Sequence, residues 1–290
     1  MTAPTTPAPA TGTAPTSTAE RVARTRHYVL CPPTHFDVRY AINPWMQPGG
    51  PVDVDRALRQ WAELVAVYSS LGHRVDLLAP HPDLPDMVFA ANGAVVLDGR
   101  AYGARFVHPE RQPEAALHRV LLAGLGVDEV HLPAHVNEGE GDFVVVGDLV
   151  LAGTGFRTDV AAHREAQEFL GRPVVTLELT DPRFYHLDTA LAALDDATVA
   201  WYPGAFSRGS RGVVRTLFPD AVEASEADAM VLGLNAVSDG RHVVLPAAAT
   251  GLAAALAERG WLPIGIDLSE LLKAGGSVKC CTLEVRPARG

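Results

Sequence analysis

Short apolar runs broken by turn residues dominate the chain from residue 92 onward. Residues 92–106 read NGAVVLDGRAYGARF, two apolar runs around Asp98-Gly99. Residues 142–156 (DFVVVGDLVLAGTGF) turn at Gly147-Asp148, and residues 188–202 (DTALAALDDATVAWY) at Asp195-Asp196. Residues 235–248 (NAVSDGRHVVLPAA) turn at Asp239-Gly240. Asp-Gly between apolar runs is a hairpin signal, because both turn residues tolerate positive φ. The segments between these hairpins switch to helical spacing. In residues 53–71, Ala57, Trp61, Leu64, Val65, Tyr68 and Leu71 fall on one face, with Asp53 placed to cap the start and Gly72 to close the end. Residues 113–124, 160–170, 208–217 and 250–259 read as further helices, and short strands follow at 74–78, 174–177 and 262–266. The unit is hairpin, helix, strand, used five times, with the strand at 27–31 pairing with the last strand to complete one unit. The polar residues Asn92, Asp142, Asp188 and Asn235 open the hairpins, and Cys280 holds the same place in the last unit, at a period of about 47 residues. A ring of such units would bring these five residues together in one central pocket.

Length and composition narrow the classes. The 290 residues suffice for one large domain or two small ones, and 48% are hydrophobic. A net charge of −10 argues against nucleic acid as a partner and offers no basic patch for a membrane. No run reaches the roughly 18 apolar residues of a membrane span. Three cysteines make no disulfide framework, which fits a cytoplasmic protein. The first residues rotate Thr, Ala and Pro; residues 1–25 are expected to be a disordered tail and residues 26–290 a single domain. Homo-oligomerisation is left open.

Chemistry concentrates in two segments. Residues 275–285 read GGSVKCCTLEV, and Tyr185-His186-Leu187-Asp188-Thr189 lies upstream. A thiolate attacks, an imidazole moves protons, and a carboxylate orients them. Cys31 and Cys281 read as structural thiols. Zinc-ligand spacing is absent, so neither a metal nor another cofactor is expected.

The fivefold repeat, the His-Leu-Asp-Thr segment and the late Cys-Cys-Thr-Leu resemble the guanidino-modifying superfamily of arginine deiminases, dimethylargininases and amidinotransferases. That resemblance implies an α/β fold, a five-bladed propeller. It also implies Cys280 as nucleophile and His186 as general acid/base, with Asp188 beside it. Leu84-Pro85-Asp86-Met87-Val88-Phe89 is similar to a dimethylargininase segment whose Asp grips the substrate's α-amino group, placing Asp86 and Phe89 at the substrate. Residues 137–142 (NEGEGD) resemble a Glu-Gly-Gly-Asp segment with one residue extra, so the supporting carboxylate is Glu138 or Glu140, with Glu138 favoured. Arg111 and Arg157 match arginines near the substrate carboxylate. Asn92 departs from the pattern, since deiminases and dimethylargininases carry Asp there. With Asn43 in Tyr40-Ala-Ile-Asn43-Pro-Trp-Met46, it brings the chain nearer the arginine dihydrolases, which convert arginine to ornithine. A carboxylate only accepts hydrogen bonds, whereas an amide also donates and can hold the oxygen of citrulline. The expected activity is hydrolysis of free arginine to ornithine, carbon dioxide and ammonia. The alternatives are a dimethylargininase or deiminase stopping at citrulline, an amidinotransferase, or a non-enzymatic arginine sensor.

Overall fold

The computed structural model describes residues 21–127 and 129–288. Each of five blades is a three-stranded sheet in which an antiparallel pair of strands is extended by a parallel strand reached through a helix. The first blade joins β1 (His27–Leu30), α1 (Val54–Ser70) and β2 (Arg74–Leu77). The second joins β3 (Ala94–Leu97), β4 (Arg100–Gly103), α2 (Glu114–Gly124) and β5 (Glu129–His131). The third runs through β6 (Phe143–Val146), β7 (Leu149–Thr154), α3 (Val160–Leu170) and β8 (Val174–Glu178). The fourth runs through β9 (Leu191–Ala193), β10 (Val199–Trp201), α4 (Arg208–Leu217) and β11 (Val222–Glu223). After the one-turn α5 (Glu226–Ala229), the fifth blade comprises β12 (Val237–Ser238), β13 (His242–Pro246), α6 (Thr250–Glu258) and β14 (Leu262–Ile266). The chain then passes α7 (Ser269–Leu272) and ends in β15 (Leu283–Glu284), which pairs antiparallel with β1, Val29 opposite Leu283. The first blade is thus closed by both ends of the chain, as the sequence led us to expect.

Local chemistry explains the elements. Asp98 and Gly99 take φ of 53° and 76°, the primed turn that matches strand twist. The Asp53 side chain accepts from Arg56 N at the start of α1, and Gly72 ends it at φ 81°. The buried stripe of α1 is Ala57, Trp61, Leu64 and Tyr68. The core fills the clefts between neighbouring blades and closes the ring. Val95 and Tyr102 pack with Phe143 and Val150, and Val144 and Leu151 with Leu191 and Trp201, which in turn share a cluster with Val243 and Leu245. Val237 and Val244 pack with Tyr28 and Leu30, and Val285 meets Val96, returning the ring to its start.

Two details differ from the sequence reading. Of the expected tail at residues 1–25, residues 1–20 lie outside the described residues, but residues 21–25 lie against the body. Arg21 stacks over the Trp261 ring at 3.1 Å and pairs with Asp195 at 2.9 Å, and Arg24 N donates to Asp239 O at 2.8 Å. Arginines make these contacts, so apolar patterning could not reveal them. The five polar positions also do not sit on strands. Asn92 lies in a single 3-10 turn (Ala90–Gly93), Asp142 caps another (Gly139–Gly141), and Asp188 occupies a third (Leu187–Thr189). Cys280 and Cys281 lie in a turn before β15, where Cys281 N donates to Ser277 O and Thr282 N to Lys279 O.

Candidate active site

The turns aim the polar residues at one another. Asn235, which opens β12, holds the cysteine turn: its Oδ1 accepts from Ser277 N (3.1 Å) and Cys280 N (3.0 Å). Its Nδ2 donates to Cys280 Sγ (3.1 Å) and to Asp188 O (3.2 Å). The thiol in turn donates to Asp188 Oδ2 at 3.3 Å. Burial, and then the charge of Asp188, push the Cys280 thiol well above its usual range, so the resting group is protonated. Burial likewise pushes Asp188 up to about 7.

A second cluster forms around His186, two residues before Asp188. His186 Nε2 meets Glu138 Oε2 at 2.8 Å, with both side chains fully buried. Arg157 Nη1 donates to both Glu138 oxygens (3.1 and 2.9 Å) and Nη2 to Ile42 O (2.7 Å). Burial opposes charge on Glu138, but Arg157 and the His186 hydrogen bond outweigh it and hold the carboxyl well below its usual range. His186 Nδ1 is buried without a protein partner. Leu187 N donates to Asp142 Oδ1 (3.0 Å) and Thr158 Oγ1 to Asp142 Oδ2 (2.7 Å), so Asp142 anchors the His186 turn. Gly141 is required here, because a Cβ would overlap Asn92 Nδ2 and crowd His186 Nδ1. Both atoms therefore face the same point.

Glu140 does something else. Its carboxylate binds Lys279 Nζ (2.8 Å), Arg286 Nη1 and Glu284 N (3.0 Å), away from His186. The geometry places Glu138, and not Glu140, against the imidazole.

Arg111 is clamped by Glu114 through Nε (2.9 Å) and Nη2 (2.8 Å), and its Nη1 donates to Asn92 Oδ1 at 2.7 Å. The Asn92 oxygen is thus turned toward Arg111, and its Nδ2 donates weakly to Glu138 O at 3.5 Å, beside Gly141 and His186 Nδ1. Asp86 accepts from Tyr40 OH at 2.8 Å through Oδ2, while its buried Oδ1 has no protein partner. Burial raises its pKa. Phe89 packs edge-on to Phe36 and over Gly276, where a Cβ would overlap its ring. Asn43 donates to Ala274 O (3.0 Å) and accepts from Trp45 N (2.9 Å), while Trp45 Nε1 donates to Arg183 O (2.8 Å). Residues 40–46 are pinned as a cover over the site. Cys280 is 1% exposed and His186 0%.

The sequence reading overlooked two site members. Asn235 was visible only as a strand-opening residue, although its place in the repeat, matching Asn92 and Cys280, was the available signal. Glu114 carried no signal at all; it is an ordinary first-turn helix acid until Arg111 folds against it. Among the described residues, no cluster of His, Cys, Asp and Glu is arranged to hold a metal ion.

The family described as eukaryotic N,N dimethylarginine dimethylhydrolase matches residues 50–287, which span both clusters. The chain belongs to this dimethylargininase family. An N(G),N(G)-dimethylarginine dimethylaminohydrolase of Mycobacterium tuberculosis is 56% identical over 271 residues, covering 93% of the chain and 89% of that protein. The bifunctional arginine dihydrolase/ornithine cyclodeaminase AgrE of Nostoc is 36% identical over 264 residues, covering 89% of the chain but 37% of that longer protein. The N-terminal domain of ArgZ, a cyanobacterial arginine dihydrolase solved with substrate bound, matches the fold with a TM-score of 0.85 at 35% identity. That match covers 90% of the chain and 98% of the domain. The dimethylargininase-family chain is therefore a hydrolase of non-peptide C–N bonds in linear amidines, on the five-bladed α/β propeller of the guanidino-modifying superfamily.

Proposed function

We propose that the protein hydrolyses free L-arginine through two cycles, giving ornithine, carbon dioxide and two ammonia. The observation that carries this reading is Asn92: its oxygen is taken by Arg111, while its NH₂, beside His186 and held only by a 3.5 Å contact to Glu138 O, keeps an N–H for a substrate oxygen. A donor suits the ureido oxygen of citrulline, which an aspartate would repel.

The chamber is short of positive charge, which favours a cationic ligand. Asp86 carries an unpartnered oxygen for an α-ammonium. Arg157 spends Nη1 on Glu138 and Nη2 on Ile42 O, which leaves its Nε–H for the α-carboxylate. The guanidinium then lies between Cys280 and His186. Its charge offsets the burial and the Asp188 charge that hold the thiol protonated, so substrate binding ionises the thiol and its proton passes to His186. The thiolate adds to the guanidino carbon while Asp188 Oδ2, relieved of the thiol, accepts a guanidinium N–H. His186, held by Glu138, protonates the leaving nitrogen, and ammonia departs. The same imidazole deprotonates water, which attacks the thiouronium carbon; the S–C bond breaks and citrulline forms. In the second cycle Asn92 Nδ2 supports the ureido oxygen, ammonia leaves, and water releases a carbamate that loses carbon dioxide.

The 56% identical relative supports a second reading, in which methylated arginine is the substrate and citrulline the product. Incubation with arginine, Nω,Nω-dimethylarginine and agmatine, with products identified by mass spectrometry, separates the two. Arginine giving ornithine, with agmatine far poorer for want of a carboxylate, is the expected result. Turnover of the methylated substrate alone, ending at citrulline, selects the second reading.

A further inference from the structure

A cavity of about 230 Å³ runs between the first strands of the blades, with wall residues from β3, β6, β9, β12 and β15. Asp188 and Lys279, both well shielded, lie at one end, and the exposed Arg24, Asp196 and Pro287 at the other. Cys280, His186, Glu138 and Asn92 do not line it. Asp188 belongs to both spaces. Its Oδ2 accepts the hydrogen bond of the Cys280 thiol, while its Oδ1 is buried and has no protein partner. A buried carboxylate oxygen without a partner needs a water, and the cavity brings one within reach.

We propose that this axial cavity is the passage through which water enters and ammonia leaves, with Asp188 Oδ1 as its inner station. The inference rests on guanidine hydrolysis at Cys280. Each cycle consumes one water and releases one ammonia while the carbon skeleton of the substrate stays in place. The thiolate forms an S–C bond, the C–N bond breaks, and ammonia leaves with a proton from His186. Water then attacks, the S–C bond breaks, and its proton returns to the imidazole. On the substrate side the cover formed by residues 40–46 is fastened through Asn43, Trp45 and Ile42 O. Opening it between cycles would release citrulline. A separate route lets the second water arrive with the cover shut. Lys279, bound to Glu140 and to Thr282 O at 2.8 Å each, stands immediately before Cys280 and borders the passage.

Val145 and Ala193 are wall residues that keep part of their surface accessible, so larger side chains there grow into the cavity. The test compares Val145→Phe, Ala193→Leu and the control Ala193→Ser in the full chain with arginine. Rapid quenching and intact-mass analysis read formation and decay of the covalent adduct. The expected result is formation within about twofold of wild type, decay slowed about fivefold or more, and accumulated adduct in both narrowed variants but not in the control. Unchanged decay in both, or formation and decay falling together, overturns the passage. If wild type forms no adduct with arginine or a methylated arginine, guanidine hydrolysis itself fails, and this inference falls with it.

Discussion

Asn235→Asp isolates what the cysteine turn does for its thiol. The substitution is isosteric. One oxygen still accepts from Ser277 N and Cys280 N, so the turn keeps its anchor. The other oxygen replaces Nδ2, 3.1 Å from Cys280 Sγ, where a donor becomes an acceptor. A hydrogen bond to a charged acceptor contributes about 1.5–3 kcal/mol, so its loss raises the thiol pKa by about one to two units. Repulsion from the new carboxylate acts in the same direction. The thiolate fraction at a fixed pH below that pKa falls about 10- to 100-fold. The assay is the rate of iodoacetamide labelling of Cys280 against pH, without substrate, with peptide mapping to exclude Cys31 and Cys281. The midpoint should move upward in Asn235→Asp, with a fall in stability of about 1–3 kcal/mol because Nδ2 also donates to the buried Asp188 O. Asn235→Ala, which also strands two buried N–H groups, should lose more, at about 1–3 kcal/mol for each. A folded Asn235→Asp with the wild-type labelling profile would refute the assignment of Asn235 as the thiol's support.

Two further tests separate chemistry from structure. Cys280→Ala should abolish turnover with the fold intact by circular dichroism, whereas Cys281→Ala, in the packed turn, should keep most activity in the same assay. Glu138→Gln should lower kcat by about 10²-fold or more, since general acid–base catalysis is typically worth about 10²–10⁴. Glu140→Gln should instead act on stability. Burial opposes charge on Glu140, but Lys279 and Arg286 outweigh it and hold the carboxyl below its usual 4.5. Its stabilisation is present above 4.5 and is lost as pH falls through the depressed folded value. Acid melting curves of the variant should therefore be flatter than those of wild type.

The repeat was legible because its signals are local. Asp98-Gly99 fixes a turn and the α1 stripe fixes a helix, whatever lies elsewhere in the chain. The pocket residues were legible through their shared place in the repeat and through motif resemblance. Pairings between distant segments were not. The choice between Glu138 and Glu140 depended on which one meets Lys279 and Arg286, far along the chain. The one-turn helices carrying Asn92 and Asp188 were hidden because Asn92-Gly93 and Asp188-Thr189 read equally well as strand openings. The orientation of Asn92 could not be read at all, since it is set by Arg111 and, behind it, by Glu114.

Citrulline supplied alone to wild type and to Asn92→Asp tests the central claim most directly. With product formation followed by chromatography, wild type should convert citrulline to ornithine. The variant, which offers only acceptors to the ureido oxygen, should do so at least about fivefold more slowly, because an unpaired buried acceptor costs about 1–3 kcal/mol. It should also accumulate citrulline when given arginine. Inert citrulline with the wild-type protein, or equal rates in the two proteins, would contradict the account.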